Sequence, residues 1–212
     1  MTRGTTGNAR GELARARLLD AALQAFARRG FHGTGTRDIA EAAGMSPAAV
    51  YVHYRTKEEL LFELSLAGHR QVRQVMDEAL TGSSAEAGSA DPARRLRDVV
   101  RAFTSWHARA QIHARVVQYE MAALGPQHAA EIAGLRREIE SLMRRLVTDG
   151  RDAGVFGVAN PHMAALAILS LGIDVARWYR PDGGWGPDEI GAQYGDLALD
   201  LVRWTRTDRP PG

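Results

Sequence analysis

Residues 36–57 read TRDIAEAAGMSPAAVYVHYRTK, and this stretch predicts two short helices separated by a tight turn. Apolar residues recur at helical spacing on one face of the first helix. Gly44 suits the left-handed residue that closes such a helix. Ser46 suits the N-cap of the second helix, and Pro47 suits its first position, where no N–H is needed. This arrangement indicates a helix-turn-helix, whose second helix enters the major groove of DNA.

The basic residues are concentrated in the same part of the chain. Residues 1–57 contain nine Lys and Arg against four Asp and Glu, a net charge of +5. The whole chain has a net charge of +2, so residues 58–212 have a net charge of −3. A basic N-terminal quarter is typical of a nucleic-acid-binding head, although a solvated Arg-rich helical surface would have the same charge.

Composition excludes several classes of protein. The 212 residues include no cysteine, so neither a disulfide framework nor a thiolate metal site is possible. The histidines have no metal-ligand spacing, and we expect no metal and no cofactor. There is no signal peptide and no apolar stretch long enough to cross a membrane, which predicts a soluble, cytoplasmic protein. Apolar residues recur at the helical period throughout, so the fold class is all-α.

These patterns divide the chain into three segments. Residues 1–11 are polar and lack a core pattern, which predicts a disordered basic arm. Such an arm either reaches into the minor groove beside the helix-turn-helix or is a passive tail. Residues 12–57 form the helix-turn-helix domain, in which Thr36 is the expected N-cap of the first motif helix. Residues 58–212 form a larger helical domain and include a small polar linker at 81–90.

Two helical patterns at the end of the chain predict self-association. The pattern that begins at Asn160 is apolar on every side, and such a helix is normally buried all round. The last helix has apolar residues at spacings of four, three, four and three, as in a coiled-coil seam. We expect a homodimer with a two-fold four-helix bundle, unless both helices pack only within their own subunit. The expected interface residues are Leu169, Ile173, Ile190, Tyr194, Leu197, Leu201 and Trp204.

The chain from residue 16 to about residue 64 resembles the TetR family of bacterial transcriptional regulators. The matching stretches are ARLLDAALQAFARRGFHGTGTRDIAEAAG at 16–44 and MSPAAVYVHYRTKEELL at 45–61. The resemblance implies a nine-helix fold with a three-helix DNA-binding head, a connecting helix, and a larger ligand-binding and dimerisation domain. It also implies that ligand binding shifts the connecting helix and releases operator DNA at the bacterial nucleoid.

The resemblance also assigns DNA contacts. Thr36 and Arg37 look like backbone anchors, and Lys57 looks like a phosphate-binding lysine. Tyr54 stands where the family often has Phe, so it either contacts DNA or belongs partly to the core. Ala48 and Ala49 offer no hydrogen bonds and either contact thymine methyl groups or allow close approach. The groove-facing and base- or phosphate-contacting residues are Ser46, Pro47, Ala48, Ala49, Tyr51, His53 and Tyr54.

Residues 160–202 more weakly resemble TetR-type repressors of actinobacterial steroid and fatty-acid catabolism, which respond to acyl-CoA thioesters. Arginines are needed for the phosphates of coenzyme A, and Arg144, Arg145, Arg177 and Arg180 are available, although charged helix faces are usually just solvated. Most residues on such apolar stripes are ordinary core. The expected effector-pocket residues are Phe103, Trp106, His107, Tyr119, Met121, Met143, Arg177 and Trp178.

Other classes of function fit the sequence less well. There is no nucleophile elbow, P-loop, dinucleotide fingerprint or zinc spacing, so we expect no enzyme. A purely structural helical dimer would leave Tyr51, His53 and Lys57 without a purpose. The sequence therefore predicts a dimeric repressor that binds a palindromic operator and is released by a small hydrophobic effector, for which an acyl-CoA thioester is the candidate. A regulator that senses a non-CoA hydrophobic or aromatic compound is the alternative.

Overall fold

The computed structural model describes residues 5–85 and 91–203, and over these ranges the protein contains helices and no strand. The all-helical prediction is therefore confirmed. The helices are α1 (Thr5–Arg29), α2 (Thr36–Ala42), α3 (Pro47–His53), α4 (Lys57–Ala85), α5 (Pro92–Arg109), α6 (Gln111–Glu120), α7 (Pro126–Asp152), α8 (Pro161–Trp178) and α9 (Pro187–Arg203). A 3₁₀ turn, Met121–Ala123, follows α6.

Two helices extend beyond their predicted bounds. Helix α1 begins at Thr5, within the segment predicted as a disordered arm, and α4 continues to Ala85, within the predicted linker. The first turns of α1 contain exposed residues such as Arg10 and have no apolar face. Hydrophobic periodicity therefore does not detect this part of the helix. The rest of the predicted arm, residues 1–4, and of the predicted linker, residues 86–90, lies outside the described residues.

The described residues form two compact units. One, the head unit, consists of residues up to 68 together with residues 112–132, and the other, the body unit, consists of residues 69–111 and residues from 133 onward. This division differs from the predicted boundary at residue 57. The first turns of α4 belong to the same unit as residues 112–132, and polar contacts and a ring stack described below join α4 to α6 and to the start of α7.

The core of the head unit comes from four helices. Phe26 and Leu18 of α1, Ile39 of α2 and Leu60 of α4 are all fully or almost fully buried. Val50 is the buried residue of α3. These residues are the apolar faces that the helical periodicity predicted, so the packing of the helix-turn-helix follows directly from the sequence pattern.

The body unit has a separate core in which α5 packs against both α8 and α9. Phe103 and Met143 are buried at its centre. Glycines allow the close approach of helices: a Cβ on Gly191 of α9 would lie 2.6 Å from the Arg101 carbonyl oxygen, and one on Gly195 would lie 2.9 Å from the Arg97 carbonyl oxygen. Side chains larger than hydrogen therefore do not fit where α9 crosses α5.

The close approach of α9 to α5 predicts that one methyl group added at this crossing lowers the stability of the protein. Gly191→Ala places a Cβ against the Arg101 carbonyl and the Ser105 side chain, and we expect it to lower the free energy of unfolding by about 1–3 kcal/mol. Gly184→Ala is the control, because a Cβ at Gly184 meets nothing within 4 Å. Urea titration followed by circular dichroism measures both variants, and equal stability of the two would contradict the packing described here.

Candidate nucleic-acid interface

The turn between α2 and α3 has the predicted geometry. Gly44 has φ +65°, the left-handed conformation that ends α2. The Ala49 N–H donates to Ser46 Oγ over 3.2 Å, so Ser46 is the N-cap of α3, with Pro47 at its first position. At the other end, Gly35 and not Thr36 is the N-cap of α2, because the Asp38 carboxylate accepts the Gly35 N–H at 2.8 Å.

Helix α3 has one buried face and one exposed face. Val50 is buried, while Ala48, Tyr51 and Val52 are exposed, at the i, i+3 and i+4 spacing that places them on one side of the helix. Val52 is 80% exposed and Tyr51 is 55% exposed. The Tyr51 hydroxyl lies 3.3 Å from Thr36 Oγ1, which ties the tyrosine to the start of α2.

The remaining predicted DNA contacts differ in accessibility. Arg37, Ser46 and Pro47 are exposed, while Thr36, Ala49 and His53 are half-buried. The structure thus places these residues together on α2, α3 and the turn between them.

Tyr54 is a correction to the predicted interface. Its side chain is only 3% exposed, and the Arg15 guanidinium lies over its ring, 5.0 Å from the centroid. Burial raises the pKa of the Tyr54 hydroxyl. A ring enclosed in this way cannot lie on a base edge, so Tyr54 belongs to the core of the head unit.

Lys57, the single lysine of the chain, has structural partners that the sequence did not predict. Its ammonium group donates to the Phe31 carbonyl over 2.8 Å and to the Thr34 carbonyl over 2.9 Å. The same group lies 4.3 Å from the centroid of the Phe31 ring, a cation–π contact. Two of its three N–H donors are therefore used within the head unit.

Glu58, the next residue, makes a second set of contacts within the head unit. Its carboxylate accepts the Gly125 N–H at 2.8 Å and lies 2.9 Å from His128 Nδ1 at the start of α7. The His128 ring stacks on Phe62 of α4 with the centroids 3.8 Å apart. On α6, His113 Nε2 lies 2.7 Å from the Leu64 carbonyl oxygen. These contacts join α4, α6 and the beginning of α7.

The predicted effector residues fall in both units. Tyr119 and Met121 belong to the head unit, where Tyr119 is 61% exposed. The other residues belong to the body unit, where Phe103 and Met143 are buried, Trp106 and Trp178 are half-buried, and the exposed Arg177 pairs with Asp174. Phe103, Trp106 and His107 are brought together on α5.

His107 is a buried, neutral histidine. Burial lowers its pKa to about 4, so the ring carries no charge at neutral pH. Nδ1 lies 2.8 Å from the Phe103 carbonyl oxygen, which can only accept, so Nδ1 carries the proton and Nε2 is an acceptor. Phe103 and Trp106 lie against this ring at centroid distances of 4.4 and 5.0 Å.

The predicted dimer residues are divided between core and surface. Leu169 and Ile190 are buried within the body unit, Ile173, Tyr194 and Leu201 are half-buried, and Trp204 lies outside the described residues. Helix α9 approaches α5 closely at Gly191 and Gly195, and Ile190 of the predicted seam is buried in a cluster that includes Ala108 of α5. Helix α8 is not buried on every side, because Met163 and Leu171 are 58% and 50% exposed.

Two absences concern only the residues that the structure describes. Residues 5–85 and 91–203 contain no group of three His, Asp or Glu side chains placed to hold a metal ion. None of the helices in these ranges has the length and apolarity needed to cross a membrane.

Sequence reasoning missed three residues of this region. Val52 has no hydrogen-bonding group, and only the helical position beside Tyr51 could have indicated its exposure. Glu58 and Arg15 find their partners in other helices, Arg15 beside Tyr54 and 3.8 Å from Glu63, and no local pattern predicts such contacts.

A helix-turn-helix with an exposed second helix on a basic head defines a DNA-binding regulator, and comparison with known proteins gives its family. Residues 18–64 match the tetR family of bacterial regulatory proteins, and residues 89–202 match the tetracyclin repressor-like C-terminal domain. The chain belongs to the TetR family of transcriptional regulators.

Individual relatives have the same fold over nearly the whole chain. The transcriptional repressor KstR2 of Mycobacterium tuberculosis is 30% identical over 210 residues, 93% of this chain and 94% of KstR2. A tetR-family regulatory protein from Rhodococcus RHA1 is 42% identical, with a TM-score of 0.81 over 89% of this chain and 96% of that one. AibR, solved with isovaleryl coenzyme A and operator DNA, is 22% identical and shares the fold, with a TM-score of 0.73 over 90% of this chain and 98% of that one.

The contacts of Lys57 predict two separable effects of its removal. Lys57→Met leaves the Phe31 and Thr34 carbonyls without their charged donor, and we expect the free energy of unfolding to fall by about 1.5–3 kcal/mol even without DNA. Arg37→Ala, at an exposed cation of α2, is the control and should change stability by less than about 0.5 kcal/mol. Thermal unfolding measures the stability of both variants. If Lys57→Met is as stable as the wild type, the structural role of Lys57 is wrong, and only its predicted role in phosphate binding is left.

Proposed function

We propose that this protein is a transcriptional repressor that binds palindromic operator DNA as a homodimer in the bacterial cytoplasm and releases it when a hydrophobic effector binds. The observation that carries the proposal is the exposed face of α3, held by a complete helix-turn-helix within residues 1–57, which have a net charge of +5. This positive N-terminal segment supplies the sequence-independent attraction to phosphate, and α3 supplies contacts to base edges. Membership of the TetR family supports this division of roles.

The proposed dimer buries apolar side chains that one protomer leaves exposed. Met163 and Leu171 of α8 and Leu197 of α9 are each at least half exposed. Water-exposed apolar side chains on two neighbouring helices favour a partner surface, and a second copy presents the same helices. Two heads in one dimer would read half-sites about one helical turn apart, which accounts for a palindromic operator.

A charge introduced into this face tests the dimer. Leu197→Glu places a carboxylate in the proposed apolar interface, and we expect the protein to sediment as a monomer at micromolar concentration. Val155→Glu, at another exposed apolar position of the body unit, is the matched control and should remain dimeric. Sedimentation velocity distinguishes the two, and a dimeric Leu197→Glu protein would place the interface elsewhere.

The proposed effector is an acyl-CoA thioester that places its acyl chain near α5. A neutral His107 between two aromatic rings makes this part of the body unit suitable for an uncharged group. Nε2 of His107 is an acceptor, which suits an amide or hydroxyl donor on the ligand. The isovaleryl coenzyme A of AibR, a protein of the same fold, supports the thioester class.

A second effector class fits the same residues. An aromatic compound without coenzyme A would stack on Phe103 and Trp106 and needs no arginine for phosphates. Arg177, a predicted phosphate ligand, is exposed and already paired with Asp174 at 2.7 Å. The two effector classes therefore differ in whether the coenzyme A portion contributes to binding.

Binding to DNA upstream of the protein's own gene tests the proposal. We expect nanomolar, sequence-selective binding, measured by fluorescence anisotropy with salt titrated, and loss of binding on addition of octanoyl-CoA or a steroid acyl-CoA. Free coenzyme A is the control for the thioester. Selective binding that no thioester changes would favour the alternative effector, whereas weak binding that disappears at moderate salt would contradict the repressor itself.

A further inference from the structure

Val52 is the most exposed large apolar side chain among the described residues, at 80%. It lies on the outward side of α3, one turn after Ala48 and beside Tyr51. The opposite side of the same helix has its apolar residue, Val50, fully buried. Core packing therefore does not explain Val52, and a valine on this surface offers only its two methyl groups to a partner.

The outward face of α3 has few groups that form hydrogen bonds. Ala48 and Val52 have neither donor nor acceptor in their side chains. The Tyr51 hydroxyl is within reach of Thr36 Oγ1 at 3.3 Å, and His53 is half-buried. Readout of base edges by this face must therefore depend largely on apolar contact.

The major groove contains one apolar marker among its natural bases, the 5-methyl group of thymine. We propose that Val52 is a specificity-determining residue that packs its methyl groups against the 5-methyl group of a thymine in each operator half-site. The net charge of +5 on residues 1–57 complements DNA and favours it over an apolar protein surface as the occupant of this face. This inference rests on the proposed function, because it requires that α3 enters the groove.

The contact is tested by removing the 5-methyl group of the thymine, by removing the methyl groups of Val52, and by removing both together. Wild-type protein first selects duplexes from a random synthetic pool, in which thymine is the only base that has a 5-methyl group. Each thymine of the selected half-site is then replaced by deoxyuridine, which removes that methyl group and keeps every hydrogen-bonding group. We expect one replacement to weaken wild-type binding about fourfold, the value for burial of one methyl group.

The variant Val52→Ala should behave differently. Since Val52 is so exposed, its truncation leaves the fold intact, and we expect Val52→Ala to bind the thymine duplex about fourfold more weakly than wild type. The same deoxyuridine replacement should then cost Val52→Ala almost nothing, because the partner is gone. Val155→Ala, the same truncation at an exposed valine of the body unit, is the matched control and should keep the full wild-type sensitivity.

Any other outcome contradicts either the inference about Val52 alone or that inference together with the proposed function. If no deoxyuridine replacement weakens wild-type binding, or if Val52→Ala remains as sensitive as wild type, Val52 does not read a thymine methyl group. The repressor proposal survives in either case, since selection has succeeded. If the wild-type protein selects no sequence at all, both the proposed function and the inference about Val52 are wrong, and the exposed valine then indicates a protein partner.

Discussion

The ammonium group of Lys57 is the contact on which the geometry of the head depends. It joins the first turn of α4 to the connection between α1 and α2, through the Phe31 and Thr34 carbonyls. Two charge-assisted hydrogen bonds and a cation–π contact hold this segment, in which the Phe31 carbonyl also accepts the Thr34 N–H at 3.3 Å. The connection fixes where α2 begins, and α2 with its turn fixes the face of α3 that meets solvent. A lysine expected to bind phosphate is thus first a structural residue.

Glu58 extends this connection in the opposite direction. Lys57 and Glu58 are adjacent in the first turn of α4, yet the first contacts the connection between α1 and α2, and the second contacts Gly125 and His128 at the start of α7. Helices α4 and α7 each begin in the head unit and continue into the body unit. Their first turns are therefore fixed to each other, and a displacement of either helix along its axis is resisted by the same carboxylate.

Local chemistry made much of the fold predictable from the sequence. Gly44, Ser46 and Asn160 have the conformations or capping bonds expected of their residue types, because these depend only on neighbours in the chain. Contacts between distant segments were not predictable: Lys57 meets carbonyls 23 and 26 residues away. The packing of α9 against α5 was not predictable for a similar reason, since small residues such as Gly191 give a close-packed face that hydropathy does not register.

Hydrogen exchange measured by mass spectrometry, with and without saturating operator duplex, tests the central claim that α2 and α3 form the DNA-binding surface. The account predicts that DNA slows amide exchange in residues 35–55. It predicts little direct change in residues 161–178 of the body unit. Protection confined to the body unit, or no protection of residues 35–55 under conditions where anisotropy shows complete binding, would contradict it.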